Sequence, residues 1–197
     1  INKEKIFSKG ETKATVSSKY KFNSKNVVFF KNSMKLISKE NTTITDNFNL
    51  YNLKNLYYSI NNEELKGEKI TIITNYKFPK SDKFYFESAV INLKTQNFIA
   101  KDTDIRIHKD IFDDVNNDPR IKGVSSYKED NIILINKGVF TSCNDEDNDC
   151  PPWAIQAEEI KHDKNKKQLI YNNAILKIYN LPVLYFPKFF HPDPSVK

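Results

Sequence analysis

Arginine is almost missing from this chain: of its 31 basic residues only Arg106 and Arg120 are arginines, the rest being lysine. Recognition of phosphates and base edges favours the planar guanidinium fork. The lysines are also strewn along the chain among Asp and Glu and form no patch, so the net charge of +6 reads as a solvated surface and not as a nucleic-acid site. Glycine is scarce too, at four residues, and no glycine-rich phosphate loop, nucleophile elbow or His-Glu-x-x-His pattern occurs. No apolar run nears the roughly 18 residues that span a bilayer as a helix; the longest cover residues 27–30 and 132–135. Neither a starting Met nor a charged-then-apolar leader precedes Ile1, which implies an earlier segment removed. The two cysteines, Cys143 and Cys150, are too few and too widely spaced for a structural zinc site and imply a disulfide in an oxidising compartment. They bracket the acidic segment 144–149. Pairing with each other would remove about 2–3 kcal/mol of loop entropy from the unfolded chain. Pairing with cysteines outside this chain is the competing reading.

What is plentiful is Ile, Val, Tyr and Phe, side chains that suit a pleated, half-buried surface. Across residues 13–107 they alternate with polar ones in short runs: Phe22, Val28 and Phe30; Leu56, Tyr58 and Ile60; Ile70 and Ile72; Ala89, Ile91 and Leu93; Ile105 and Ile107. Period two with no 3.6-residue repeat predicts an all-β chain. Polar turns separate the runs at residues 31–33, 61–64 and 94–97. Residues 56–72, 89–107 and 160–178 resemble one another, with a weaker copy at 26–37, which predicts a stack of short strands that share one core. A chain of 197 residues can bury roughly 70% of its unfolded surface in such a core.

Residues 110–120 and 144–149 read as polar loops. Asp145, Asp147 and Asp149 alternate as in a calcium loop, but no glycine makes the sharp turn and Gln156 stands where a bidentate Glu is required. His108, His162 and His191 lie in separate segments; His162-Asp163 reads as a polar turn and not as an acid–base pair. Trp153, after two prolines, reads as an anchor on the sheet. Pro182, Pro187, Pro192 and Pro194 crowd into the last sixteen residues, which excludes a central strand there and predicts an edge or an extended lead-in.

One string in the last third resembles a known family: Phe140-Thr-Ser-Cys143, Pro152-Trp-Ala-Ile-Gln-Ala157, Ile160-Lys-His-Asp163, Tyr171-Asn-Asn-Ala174, Pro182-Val-Leu-Tyr-Phe-Pro187 and His191-Pro-Asp-Pro194. It is similar to the lipopolysaccharide-assembly family of the outer membrane, OstA or LptD. The resemblance implies an open, V-shaped β-jellyroll of stacked antiparallel strands over residues 1–180. Residues 181–197 would then be a proline-rich lead-in to a carboxy-terminal outer-membrane β-barrel absent from this chain. It further implies a non-enzymatic conduit, without cofactor, on the periplasmic face of the Gram-negative outer membrane. The implied partners are lipopolysaccharide, a periplasmic jellyroll bridge protein joined by edge-strand pairing, a plug lipoprotein and the barrel itself. By alternation, the groove lining would be Val28, Phe30, Tyr58, Ile60, Ile72, Ile91, Leu93, Ile105 and Ile107. The family implies a bond from Cys143 to the barrel, with Cys150 a departure that leaves local and exchanged pairings open, and it implies a barrel-seam role for Pro187. Two other readings are a soluble or tethered bridge protein of the same jellyroll family and a β-helical polysaccharide-active enzyme.

Overall fold

The computed structural model describes residues 4–79, 81–107, 118–143 and 152–193. Among them there are fifteen strands and no helix, and hydrogen bonding links the strands in one open sheet. The chain divides into two compact units, Ile1–Ala100 and Lys101–Lys197. Unit 1 holds β1 (Lys5–Phe7), β2 (Glu11–Val16), β3 (Tyr20–Lys25), β4 (Val28–Phe30), β5 (Lys35–Ser38), β6 (Thr42–Thr45), β7 (Leu50–Ser59), β8 (Glu64–Ile73) and β9 (Lys83–Asn92). Strand β10 (Phe98–Arg106) falls across the division. Unit 2 continues with β11 (Arg120–Glu129), β12 (Ile132–Thr141), β13 (Trp153–Asp163), β14 (Gln168–Ile178) and β15 (Leu181–Pro192). The β11–β15 ladders are antiparallel, as are those of unit 1 from β1 to β9. The coils of a β-helix stack in parallel instead. The turns expected at 31–33, 61–64 and 94–97 are present as turns or strand ends.

Five of the long strands, β7, β9, β12, β13 and β14, turn a corner near the middle. Simple alternation fails there in one recurring way: two buried residues stand three apart, with two polar or exposed residues between them. Leu53 and Leu56 flank Lys54-Asn55, and Phe86 and Ala89 flank Glu87-Ser88. Ile135 and Gly138 flank Asn136-Lys137, Ala157 and Ile160 flank Glu158-Glu159, and Tyr171 and Ala174 flank Asn172-Asn173. Several corner residues have left-handed backbone: Asn55 (φ 53°), Lys69 (φ 51°), Lys137 (φ 49°) and Asn173 (φ 51°). On β7 a register shift against β8 marks a β-bulge, which bends the strand and lets both flanking apolar residues face inward. At the corners of β8–β9 and of β11 to β14 the register is unbroken, so paired strands change face together. The polar pair turns outward, where it bonds across strands: Asn55 Nδ2 donates to Glu68 at 2.6 Å, Lys69 pairs with Glu87 at 2.6 Å, and Asn173 Nδ2 donates to Glu158 at 2.6 Å.

The bend folds unit 1 into two leaves. One half of β7 (Leu56, Tyr57, Tyr58, Ser59) pairs with β5, whereas the other (Leu50, Tyr51, Asn52, Leu53) pairs with β6. The first leaf runs on through β4 to β1, the second through β3 to β2. Their inner faces meet: the Phe22 ring of β3 lies 4.9 Å, centroid to centroid, from that of Tyr58 on β7. A buried hydroxyl chain closes the same region, with Ser24 Oγ 3.0 Å from Ser38 Oγ and 2.7 Å from Thr42 Oγ1. These groups satisfy one another, so burying them costs little.

Candidate apolar interior and its open edges

Cross-strand register sorts the apolar residues by face, because directly opposed residues share a side of the sheet. In unit 1 an inner row runs Ile6, Phe29, Leu36, Tyr58, Leu65, Ile91. The other leaf carries Phe22, Ile44, Tyr51, Ile72 and Phe84 in the equivalent row. Tyr58, Ile72, Ile91 and Leu93, four residues expected on the groove, are buried here, and Ile105 and Ile107 are buried in unit 2. Ile60 sits in the turn after β7, half-buried.

Val28 and Phe30 are placed elsewhere. Val28 opposes Ile37, and Ile37 opposes Tyr57, the neighbour of inner-facing Tyr58; Phe30 opposes Lys35. Both therefore lie on the outer face of their leaf, where Lys5 Nζ stands 4.8 Å from the Phe30 ring centroid. The physical reason is Asn26, whose φ of 51° interrupts β3–β4. Buried positions run Phe22, Ser24 and then Val27, so even-numbered alternation carried past Asn26 reverses its face.

In unit 2 the inner face is aromatic. Phe140 lies 5.9 Å from Trp153, 6.3 Å from Tyr171 and 5.2 Å from His191, and Tyr171 lies 5.8 Å from Phe189, ring centre to ring centre. Trp153 thus anchors on the sheet through Phe140. The interior opens toward β15. Along the row Ile121, Phe140, Ile155, Leu176, Leu184, exposure is 0%, 3% and 9% at the first three, intermediate at Leu176, and 52% at Leu184. Leu181, Val183, Tyr185 and Phe190 of the same edge strand are also exposed. The tail expected as an edge or lead-in is this strand, paired with β14 and carrying Pro182, Pro187 and Pro192. Unit 1 has an equivalent at β1, where Ile6 closes the inner row at 49% exposure. Long apolar edges invite further strands, and proteins normally blunt them.

His162 departs from its expected surroundings. His162 and Asp163 are not a polar turn: both are buried at the end of β13, and His162 Nε2 is hydrogen-bonded to Asp193 Oδ2 just past β15. His191 donates from Nδ1 to the Pro192 carbonyl at 2.6 Å, and its Nε2 lies 2.8 Å from the Tyr171 hydroxyl, from which the neutral ring accepts. Burial pushes His191 below its ordinary value, against opposing pulls from the Pro192 carbonyl and Asp193. The folded chain therefore binds fewer protons there than the unfolded chain. Its contribution to stability is full above the ordinary value of 6.5 and is lost as pH falls below it. The expected result is a urea midpoint that drops between about pH 7 and pH 5, with a smaller drop in His191→Phe; equal drops would contradict this assignment.

Both arginines are engaged internally. Arg120, buried, donates to the Cys143 carbonyl at 2.5 Å and pairs with Asp118 at 3.6 Å; Arg106 pairs with Asp104 and Asp118, each at 3.8 Å. Cys143 is half-buried, its Sγ 3.9 Å from the Trp153 carbonyl, while Cys150, His108 and the acidic segment 144–149 lie outside the described residues. No group of three or more His, Cys, Asp or Glu able to hold a metal occurs among the described residues.

What the period-two reading missed was the corner. The signal was present as buried small or apolar residues three apart around two polar ones, repeated in β7, β9, β12, β13 and β14.

No family model matches the chain. A stretch of 64 residues, 32% of this chain, is 39% identical to the LPS-assembly protein LptD of Pseudoalteromonas translucida (strain TAC 125), of which it covers 8%.

Proposed function

We propose that the chain is a non-enzymatic lipid-transfer domain that carries lipopolysaccharide at the periplasmic face of an outer membrane. The observation that carries this reading is an apolar inner face that reaches solvent at an edge strand, Leu184 of β15 being half exposed at the end of a row that begins with buried Ile121, Phe140 and Ile155. The partial likeness to an LPS-assembly protein supports the same reading. An acyl chain needs apolar wall and no deep specific pocket, because each buried methylene contributes about 0.8 kcal/mol. Strands bent at polar corners provide such a wall, since they place apolar residues inward on both leaves and charge outward.

The lining in this proposal is Tyr58, Ile72, Ile91 and Leu93 in unit 1 and Ile105 and Ile107 in unit 2; Val28 and Phe30 are left outside. Edge strands β1 and β15 are the docking elements, by addition of a strand from a neighbour. We assign β1 to a periplasmic bridge protein of similar fold and β15, with Pro187, to a barrel that would follow it and to that barrel's plug lipoprotein. The Cys143 thiol, if it pairs beyond this chain, would fix the second junction.

The test is acyl dependence. Purified chain should bind fluorescent lipopolysaccharide, and unlabelled lipopolysaccharide should compete while the fully deacylated saccharide does not. Competition by the deacylated saccharide would instead favour a carbohydrate-binding protein.

A further inference from the structure

The inner face of unit 1 contains one polar atom that its surroundings do not explain. Tyr58 is fully buried, at 0% exposure, and its hydroxyl has no hydrogen-bond partner among the described residues. Its neighbours in the row are Leu36 and Leu65, with Ile91 beyond, and Phe22 faces it from the other leaf. A buried hydroxyl without a partner costs a protein stability, and Phe would fill the same space without that cost.

The position of this hydroxyl within the unit is informative. Nearby, Tyr20 Oη donates to Glu63 Oε2 at 3.3 Å and accepts from Lys19 Nζ at 2.9 Å, forming a polar rim. On the β8 and β9 side of Tyr58 the row is aliphatic, with Leu65 and then Ile91. The phenol therefore stands where polar surroundings give way to apolar ones, the position at which an amphiphile carries the linkage between headgroup and chain. Burial first, then the charge of Glu63 and the Tyr20 phenol, push the Tyr58 phenol up, so the group is a hydrogen-bond donor at neutral pH.

We infer that the Tyr58 hydroxyl donates a hydrogen bond to the carbonyl oxygen of an acyl linkage, an ester or amide, of a lipid seated against unit 1. This rests on the lipid-transfer reading and adds to it a fixed point at which the chain is read for its linkage and not only for its hydrocarbon. Phe22 is the wall that must yield. Its strand is held to β6 by the pairs Lys21 with Thr45, Phe22 with Ile44 and Asn23 with Thr43.

The experiment compares methyl dodecanoate with tridecane, probes of similar length with and without a carbonyl, binding to the wild-type chain and to Tyr58→Phe. The ester-to-alkane affinity ratio should fall roughly two- to tenfold in Tyr58→Phe, the worth of one neutral hydrogen bond. The infrared band of a carbonyl-labelled ester should move to lower wavenumber on the wild type. Without ligand, the urea midpoint of Tyr58→Phe should equal or exceed that of wild type. An unchanged ratio, an unshifted band, or a midpoint below wild type would overturn the assignment of Tyr58 while leaving the lipid reading in place. Failure of both probes to bind the wild type would overturn the lipid reading, and this inference with it.

Discussion

Tyr171→Ala should lower the stability of the folded chain by about 3–5 kcal/mol, the usual cost of deleting a large ring from a packed core. Tyr171 is fully buried, and its ring lies 6.3 Å from Phe140, 5.8 Å from Phe189 and 5.4 Å from His191. It joins the two halves of unit 2, for Phe140 stands on the far side of the corners from Tyr171 and His191. Removing the ring takes away that bridge and leaves the His191 acceptor without its donor. A loss of this size is a large share of the roughly 5–15 kcal/mol by which domains are stable. Trp153, the only tryptophan and a neighbour of Phe140 at 5.9 Å, reports the transition by its fluorescence. Tyr171→Phe, which removes the hydrogen bond alone, should cost about 0.5–1.5 kcal/mol. Equal costs for the two variants would mean that the ring cluster is not what holds unit 2.

Gly138→Val is the second large effect, expected at about 3 kcal/mol, the upper end of overpacking costs. A Cβ at Gly138 would stand 2.5 Å from Ile160 Cδ1 and 2.7 Å from Ile160 Cγ1, with Ile135 Cγ2 at 3.4 Å. Ile135 and Ile160 are both fully buried, so neither can move aside. The reason is the corner: where β12 bends, the inner side is crowded, and Gly138 opposes Ala157, which opposes Ala174. Gly10 makes the contrast. Nothing lies within 4 Å of a Cβ there, but its φ is +83°, so a substitution strains the backbone and not the packing. Gly10→Ala should cost about 1–2 kcal/mol through the left-handed conformation. Urea unfolding of both variants checks the pair, and the reverse order of costs would contradict the corner model.

Strand content, most turns and the role of the tail as an edge could be read from the residues, because those features are local. Period-two runs such as Ala89, Ile91 and Leu93 need only their own neighbours to be recognised. The corners were harder. A bulge adds one residue and shifts the alternation by one, so Leu53 and Leu56 look out of phase although both face inward. The face of Val28 and Phe30 was lost for the same reason, at Asn26. His162 failed differently. Its partner Asp193 is 31 residues away, and no local pattern announces a pair made across two strands. Strand β13 runs on to Asp163, so Ile160 and His162 share its buried face. The unpartnered hydroxyl of Tyr58 was not readable at all, because it is defined by what surrounds it and not by its spacing.

The measurement that tests the account most directly is site-specific photo-crosslinking in cells that make the protein naturally. A photoreactive residue replaces inner-row Ile91 in one strain, its outward neighbour Val90 in a second, and outward Val28 in a third. Lipopolysaccharide adducts at Ile91, with none at Val90 or Val28, are the expected result. Adducts at Val90 and Val28 with none at Ile91, or lipid at none of the three, would contradict an apolar interior that carries lipid.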